Sequence, residues 1–390
     1  MSRFRADVLF VHPEGNFWNN PQLSAIIEIL LERGRSVAVV AQEQPFVQEP
    51  FSTRMEVALL PKRVVRILLR QHITRWWWLL FRTSRSARRL ARRAEQVVAI
   101  DADGIVLASR FFHNGGELGF ISYELFFEAE VGASRKRAER QALRSCGWFA
   151  AADPVRADEL AVENGIPRGK IFTAPVAHRM QNIESALDAR ARVDRRVRRV
   201  LHIGSTATWT RLDEVVDTVP RWPQDWQLVV HDRYGRLPDY VRALAPDRVE
   251  LSDAIYAKNE DLIGLVSRAD VGLALYAETR GPYAGRNIRN VGLSSGKALT
   301  YLRFGTPVLT TDTGPLGRLV ERERVGWVIS SVAEIPAILR QWSWTPEDAR
   351  RAITVYNERF ATGREACELT AQVFRGLGCQ ESVIQSESRG

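Results

Sequence analysis

Cysteine is scarce: the 390 residues hold three, Cys146, Cys367 and Cys379, an odd number without paired metal-ligand spacing. That pattern argues against a disulfide framework and a cysteine metal site, and it points to a reducing, cytoplasmic compartment. Long apolar runs are missing as well. No uncharged stretch approaches the roughly 18 residues that a membrane span needs. The opening MSRFRADVLFVHPEG runs straight into a strand without a signal peptide's apolar core, so no integral membrane protein is expected. Histidine stops early, the last of six being His231. This bears on GLSSG at 292–296, which fits the G-x-S-x-G nucleophile elbow. Such an elbow needs a buried strand before its serine and a histidine after it, and the chain supplies neither.

What the chain has is size. With 45% hydrophobic residues it can bury a large core, and its length points to two domains. Its net charge of +9 is local, because residues 62–93 hold eleven Lys and Arg and no acid, which leaves the remainder close to neutral. These cations interleave with Val64, Val65, Ile67, Leu68, Leu69, Ile73 and the run Trp76-Trp77-Trp78-Leu79-Leu80-Phe81. Three readings compete: tryptophans in a core beneath solvated arginines, a grip on nucleic-acid phosphates and bases, or a shallow anchor on anionic lipid. No recognisable nucleic-acid module accompanies the segment, so an anionic membrane surface is the leading partner and nucleic acid is disfavoured.

Apolar periodicity organises the rest. A strand at 6–11, a loop at 12–20, a helix at 21–33 and a strand at 36–41 begin a doubly wound sheet, whose ligand crevice lies at the carboxyl ends of its strands. His12, Glu14, Gly15 and Asn16 then sit on that edge. Further strands are expected at 104–109, 119–123, 148–151 and 171–174, with helices near 135–144 and 154–163. Residues 181–199 read as the connection between domains. The second unit repeats the pattern with strands at 200–203, 226–230, 248–251, 271–275 and 325–329 and helices from Arg211 and over 259–267. Asp101-Ala-Asp103 has the D-x-D form of a cation site. Ahead of the strand expected at 104–109 it falls on the amino edge, away from the crevice, and no metal is expected.

Residues 292–311, GLSSGKALTYLRFGTPVLTT, place a glycine- and serine-rich turn before a helix and close with a buried strand. Free backbone N–H groups at a helix start favour an anion, and Lys297 adds a full charge. The plain alternative is a helix cap in which Ser294 or Ser295 accepts from first-turn amides. A phosphate loop of the form G-x-x-x-x-G-K-[ST] is one residue short here, and Ala298 stands where a hydroxyl should reach magnesium. The longer run of Ser295, Lys297, Tyr301, Gly305, Pro307 and Val308 resembles the S-x-x-K-x-x-E-Y-x-x-x-G-x-P-V pattern of the family 4-like (group 1) glycosyltransferases. Thr300 replaces the glutamate with which that family usually bonds the donor ribose, and a neutral hydroxyl makes a weaker bond than a carboxylate.

The resemblance implies an α/β chain of the GT-B type: two Rossmann-like, doubly wound parallel-sheet domains facing across a cleft. It implies an acceptor domain over 1–180, a donor domain over 198–345, and C-terminal helices over 346–380 crossing back to the first domain. The donor is a nucleotide diphosphate sugar of open base, and no further cofactor is implied. Gly204, Ser205 and Thr206 match the family's first glycine turn, with Arg211 near its phosphate-binding cation. Ile255 and Tyr256 fall where the base packs. Arg286, Asn287 and Asn290 lie in a long polar loop able to close over diphosphate or sugar, and Ser294, Ser295, Gly296, Lys297 and Thr300 complete the donor set. On the acceptor side His12, Glu14, His113, Glu117 and Glu124 follow expected strands; each is a candidate base or a structural hydrogen-bonder. The expected activity is metal-independent sugar transfer to a glycan or lipid-linked acceptor at the inner membrane face, in bacterial surface polysaccharide or glycolipid synthesis. A nucleotide-sugar epimerase and a non-catalytic or nucleic-acid-binding protein on the same scaffold are the alternatives.

Overall fold

The computed structural model describes residues 4–44, 48–69, 87, 89–90, 94–112, 117–192, 196–232, 248–252, 262–280, 285–361 and 373. Two wholly parallel sheets carry the fold. The first contains β1 (Val8–His12), β2 (Val37–Gln42), β3 (Met55–Leu60), β4 (Gln96–Ile100), β5 (Glu117–Ser122), β6 (Trp148–Ala151) and β7 (Ile171–Thr173), in the order β3-β2-β1-β4-β5-β6-β7. The second contains β8 (Arg198–Gly204), β9 (Trp226–Asp232), β10 (Val249–Ser252), β11 (Val271–Ala274), β12 (Val308–Thr311) and β13 (Gly326–Ile329), in the order β10-β9-β8-β11-β12-β13.

Both faces of each sheet are covered, so the strands read as continuous apolar runs rather than alternating ones. In the first sheet Leu9, Val11, Val97 and Ala99 enter one core, and Val8, Phe10, Val98 and Ile100 enter the other. The second sheet splits in the same way, with Leu201 and Val229 on one side and Val200, Leu228 and Val230 on the other.

The helices that matter for function start where the strands end. They are α1 (Pro21–Glu32), α2 (Lys62–Leu69), α3 (Asp101–Leu107), α4 (Ala133–Leu143) and α5 (Pro154–Asn164) around the first sheet. Helix α6 (Ile183–Ala191) lies in the connection. Around the second sheet are α7 (Leu212–Thr218), α8 (Arg286–Arg289), α9 (Gly296–Arg303), α10 (Pro315–Glu323) and α11 (Pro346–Arg359). Helix α1 has Asn20 as its cap, which accepts from Leu23 N–H, and Pro21 in its first turn, a start that fixes both φ and an otherwise orphaned donor.

One assignment needs correction. Residues 104–109 form no strand: 104–107 close helix α3, and the strand is the run just before it, Gln96–Ile100. Gly104 shows why this helix packs so tightly, since a Cβ there would lie 2.6 Å from the Val11 carbonyl oxygen. Asp101 therefore stands at the carboxyl end of β4, on the crevice edge and not the amino edge. The connection at 181–199 likewise holds helix α6, and β3 is a strand that the pattern of strands above omits.

Each sheet reverses its winding at one place, between β1 and β4 in the first and between β8 and β11 in the second. Adjoining loops diverge there and open a crevice at the carboxyl edge. The loops leaving those edges meet: Asn287 accepts from Leu125 N–H at 2.8 Å, and Leu293 N–H donates to Asp153 at 2.9 Å. Gly292, at φ +44°, is required at this contact because a Cβ would fall 2.3 Å from an Asp153 oxygen.

Candidate functional site

At the second sheet's switch point, β8 ends in Gly204 and the chain turns through Ser205 and Thr206, while β11 leads into Tyr276 across from it. Trp209 and Tyr276 stack face to face, 5.9 Å between ring centroids and 4° from parallel. Lys297, in the first turn of α9, holds its Nζ 5.5 Å above the Trp209 ring and 5.1 Å above the Tyr276 ring. Two electron-rich faces thus hold one ammonium beside a helix N-terminus.

Ser295 is the cap of α9 and accepts from Ala298 N–H at 3.4 Å, while the Tyr276 hydroxyl bonds its Oγ. Ser294 donates to the Val291 carbonyl. The capping alternative therefore holds for Ser295, alongside a charged Lys297 in the same turn. Thr300 is buried and back-bonded to the Gly296 carbonyl at 2.7 Å, so its hydroxyl proton is committed inside the helix. Tyr301 is a structural pin. Its hydroxyl donates to Leu201 O at 2.9 Å and accepts from Ile203 N–H at 3.1 Å, which fixes α9 against β8.

Beneath the glycine turn lies His202, unremarked in the sequence pattern. It is buried, and its Nε2 donates to the Ser205 carbonyl at 2.8 Å. Burial, with Lys297 nearby, lowers its pKa to about 3, so the ring is neutral at physiological pH. Arg211 does not reach toward the turn as a free cation: its guanidinium forms a two-point pair with Glu214, at 2.9 and 2.6 Å. That bond pushes the Glu214 carboxyl below its ordinary range. Ile255 and Tyr256 lie outside the described residues.

At the first sheet's switch point a cavity of about 190 Å³ is lined by His12, Glu14, Arg66, Asp101, Asp103 and Glu124, among others. His12 ends β1, is buried, and its Nε2 bonds the buried Asn16 side chain. Gly15 offers its carbonyl to Gln48 at 3.2 Å, and Glu14 is exposed on the rim. Asp101, one of the few non-glycine residues at positive φ (58°), accepts from the N–H groups of Tyr123 and Glu124 at 2.6 and 2.7 Å. Burial and the neighbouring Glu14 and Glu124 raise its pKa well above the ordinary carboxylate value, while those two N–H groups oppose the rise. Asp103 is instead clamped by Arg135 at 2.8 Å to each oxygen. Glu117 opens β5, at the amino end of that strand and away from the cavity. His113 lies outside the described residues.

Three residues of the long loop come together, but between the domains. Asn287 donates to the Glu124 carboxylate and accepts from Arg156 at 3.0 Å, Asn290 donates to Glu159 at 3.2 Å, and Arg286 pairs with Glu159. The buried Arg156 also donates to the Tyr123 carbonyl at 2.6 Å and the Asn290 carbonyl at 3.0 Å. Sequence reasoning missed Arg156, which lies in the first turn of α5, where a basic side chain gives no sign of an interdomain role. It also passed over Trp209, one of eleven tryptophans.

Of the basic segment, α2 is described. Val65 is buried in the first core while Lys62, Arg63 and Arg66 are exposed. The run Trp76 to Phe81 and Arg85, Arg88 and Arg92 lie outside the described residues. Among the described residues no helix is long and apolar enough to cross a membrane.

No family model matches the sequence, and no curated protein matches it either. Solved structures do. The chain is similar to Anabaena HepE, solved in complex with UDP and glucose, with a TM-score of 0.67 at 15% identity over 96% of this chain and 100% of that one. It is similar to sucrose-phosphate synthase from Thermosynechococcus elongatus, at TM-score 0.65 and 15% identity over 96% and 99%. WaaG, a glycosyltransferase involved in lipopolysaccharide biosynthesis, aligns at TM-score 0.62 and 14% identity over 94% and 99%. Two parallel doubly wound sheets, joined at their carboxyl-edge loops and superposable on these structures over nearly their full lengths, establish that this chain has the GT-B fold.

Proposed function

We propose that the protein is a glycosyltransferase that takes a sugar from a nucleotide diphosphate sugar bound at the carboxyl edge of the second sheet. The carrying observation is Lys297, held over Trp209 and Tyr276 at the start of α9, beside the Gly204-Ser205-Thr206 turn and at the switch point of its sheet. A diphosphate is favoured by a cation and by the positive end of a helix, and both converge here. The full-length likeness to HepE, crystallised with UDP and with UDP-glucose, supports the same donor class.

In this reading residues 1–180 form the acceptor domain and 198–345 the donor domain; of the span 346–380 expected to cross back, α11 still packs in the second sheet's core through Ala352, Val355 and Tyr356, so the return begins after it. Val373, buried in the first sheet's core, supports that return. The acceptor hydroxyl enters the cavity beside His12, Glu14 and Glu124, with Asp101 added to that set because β4 ends at its backbone. The diphosphate charge is met by Lys297 and the helix start, without metal. Both carboxylates of the D-x-D already accept from protein donors, Asp101 from two N–H groups and Asp103 from Arg135. The acceptor is a glycan or lipid-linked sugar of a bacterial surface polysaccharide or glycolipid, reached from the inner membrane face through the basic segment 62–93.

A thermal-shift panel of uridine, guanosine and adenosine diphosphate sugars tests the donor site, because a ligand that binds only the folded state raises its stability. At least one should raise the melting temperature in the presence of EDTA. Stabilisation by none, or only with a divalent cation, would contradict the metal-free site.

A further inference from the structure

Glu124 is gripped from both domains. Its own domain fixes the backbone: Asp101 accepts from Tyr123 and Glu124 N–H, and Arg156 donates to the Tyr123 carbonyl. The carboxylate is held from the other side, by the buried side chain of Asn287, carried on the single turn α8 that follows the donor-side loop. The network settles which way this amide points. One atom meets two donors, Leu125 N–H at 2.8 Å and Arg156 Nη2 at 3.0 Å, and so must be the oxygen; the NH2 group is left for the carboxylate.

Only an amide satisfies that arrangement. An aspartate would keep the oxygen that Leu125 and Arg156 need but set a second carboxylate against Glu124, and an alanine would lose both functions. Arg156 ties the same turn down by its backbone, through the carbonyls of Asn287 at 3.4 Å and Asn290 at 3.0 Å. The donor-side loop thus ends in a plug that fits the first domain's β5 loop.

We propose that Asn287 is a positioning residue, whose amide couples docking of the two sheets to the placement of the Glu124 carboxylate at the acceptor cavity. The inference rests on the transferase reading for what the placed carboxylate serves, but the coupling itself is physical and can be measured without turnover. It moves Asn287 from the donor-contacting group expected from its loop to the interdomain contact.

Hydrogen–deuterium exchange of the full-length protein reads the 123–125 amides directly. Asn287→Asp should accelerate exchange of that segment by about tenfold, since local opening is governed by the contacts that close it. The Asn287→Asp, Glu124→Gln double variant restores a donor and an acceptor with reversed polarity, and should return exchange to within about threefold of wild type, as a coupled pair does. Asn287→Ala, as a second single variant, should accelerate exchange at Leu125 too. The dissociation constant for UDP-glucose, or whichever nucleotide sugar stabilises the wild type, should change less than about threefold in Asn287→Asp because the Asn287 amide is engaged by Glu124, Leu125 and Arg156 of the other domain. Unchanged exchange in both single variants would overturn the proposal, and so would equal acceleration in single and double variants. A tenfold loss of donor affinity with unchanged exchange would return Asn287 to the donor site. If no nucleotide sugar binds the wild type, the transferase reading fails while the exchange data still decide the coupling.

Discussion

Lys297, in the first turn of α9, and His202, near the end of β8, share one electrostatic problem. The ammonium that suits a diphosphate also disfavours a proton on the buried imidazole beneath the glycine turn. Lys297→Ala should weaken nucleotide-sugar binding by roughly 10- to 150-fold, the equivalent of about 1.5 to 3 kcal/mol for a charge-assisted bond, with the melting temperature of the free protein nearly unchanged. Equal affinity in a folded variant would remove Lys297 from the site. His202 makes its own prediction. Its pKa falls from an ordinary 6.5 to about 3 on folding, so the unfolded chain takes up a proton first as pH drops. The stability it contributes is present above pH 6.5 and is lost as pH falls from there toward 3. His202→Gln should flatten that part of the stability–pH curve, measured by urea titration at several pH values, and an unaltered slope would show that the ring is not held neutral.

Helix α9 shows what a motif fixes and what it leaves open. Ser295 as cap, Lys297 in the first turn, Tyr301 on the core face and Gly305 after the helix are all legible, because each is tied to local helix chemistry. The glutamate position is different: Thr300 looks like a ribose ligand by alignment, yet its hydroxyl turns back to Gly296, as threonine in a helix readily does. The error over Asp101 has another cause. In a sheet covered on both faces, a strand such as Gln96–Ile100 and the start of a packed helix such as 104–107 read as the same apolar run, and choosing the second moved the acid to the wrong edge. The β-branched Val97, Val98 and Ile100 were the available signal. Interdomain contacts such as Arg156 with Asn287 leave no local trace at all, being 131 residues apart. Tyr301→Phe tests the element directly: it strips the Ile203 N–H and Leu201 carbonyl of a buried partner and should cost about 1 to 3 kcal/mol. A lower denaturant midpoint with unchanged slope would report this; wild-type stability would mean the hydroxyl is no pin.

Over the whole molecule, charge and fold divide the work. The basic segment follows β3 and begins in α2, whose Arg66 lines the first sheet's cavity; under the proposed function, a membrane bound there would bring a lipid-linked acceptor to that edge. Arginines near anionic headgroups contribute about 1 kcal/mol each, and screening weakens them. The protein should therefore cosediment with anionic vesicles, much less with neutral ones, and less again as salt rises. Replacing Arg85, Arg88, Arg89 and Arg92 by Gln should reduce this, while equal binding to neutral vesicles would contradict the electrostatic anchor. The central claim, transfer from a nucleotide sugar, is tested most directly by incubating the protein with its stabilising donor and a membrane or glycan extract and following the nucleotide by NMR. The account predicts release of the nucleoside diphosphate, with the sugar appearing on an acceptor and release abolished or strongly slowed in Lys297→Ala. Conversion of the donor into an epimeric nucleotide sugar, with the glycosidic diphosphate bond intact and no acceptor required, would contradict it.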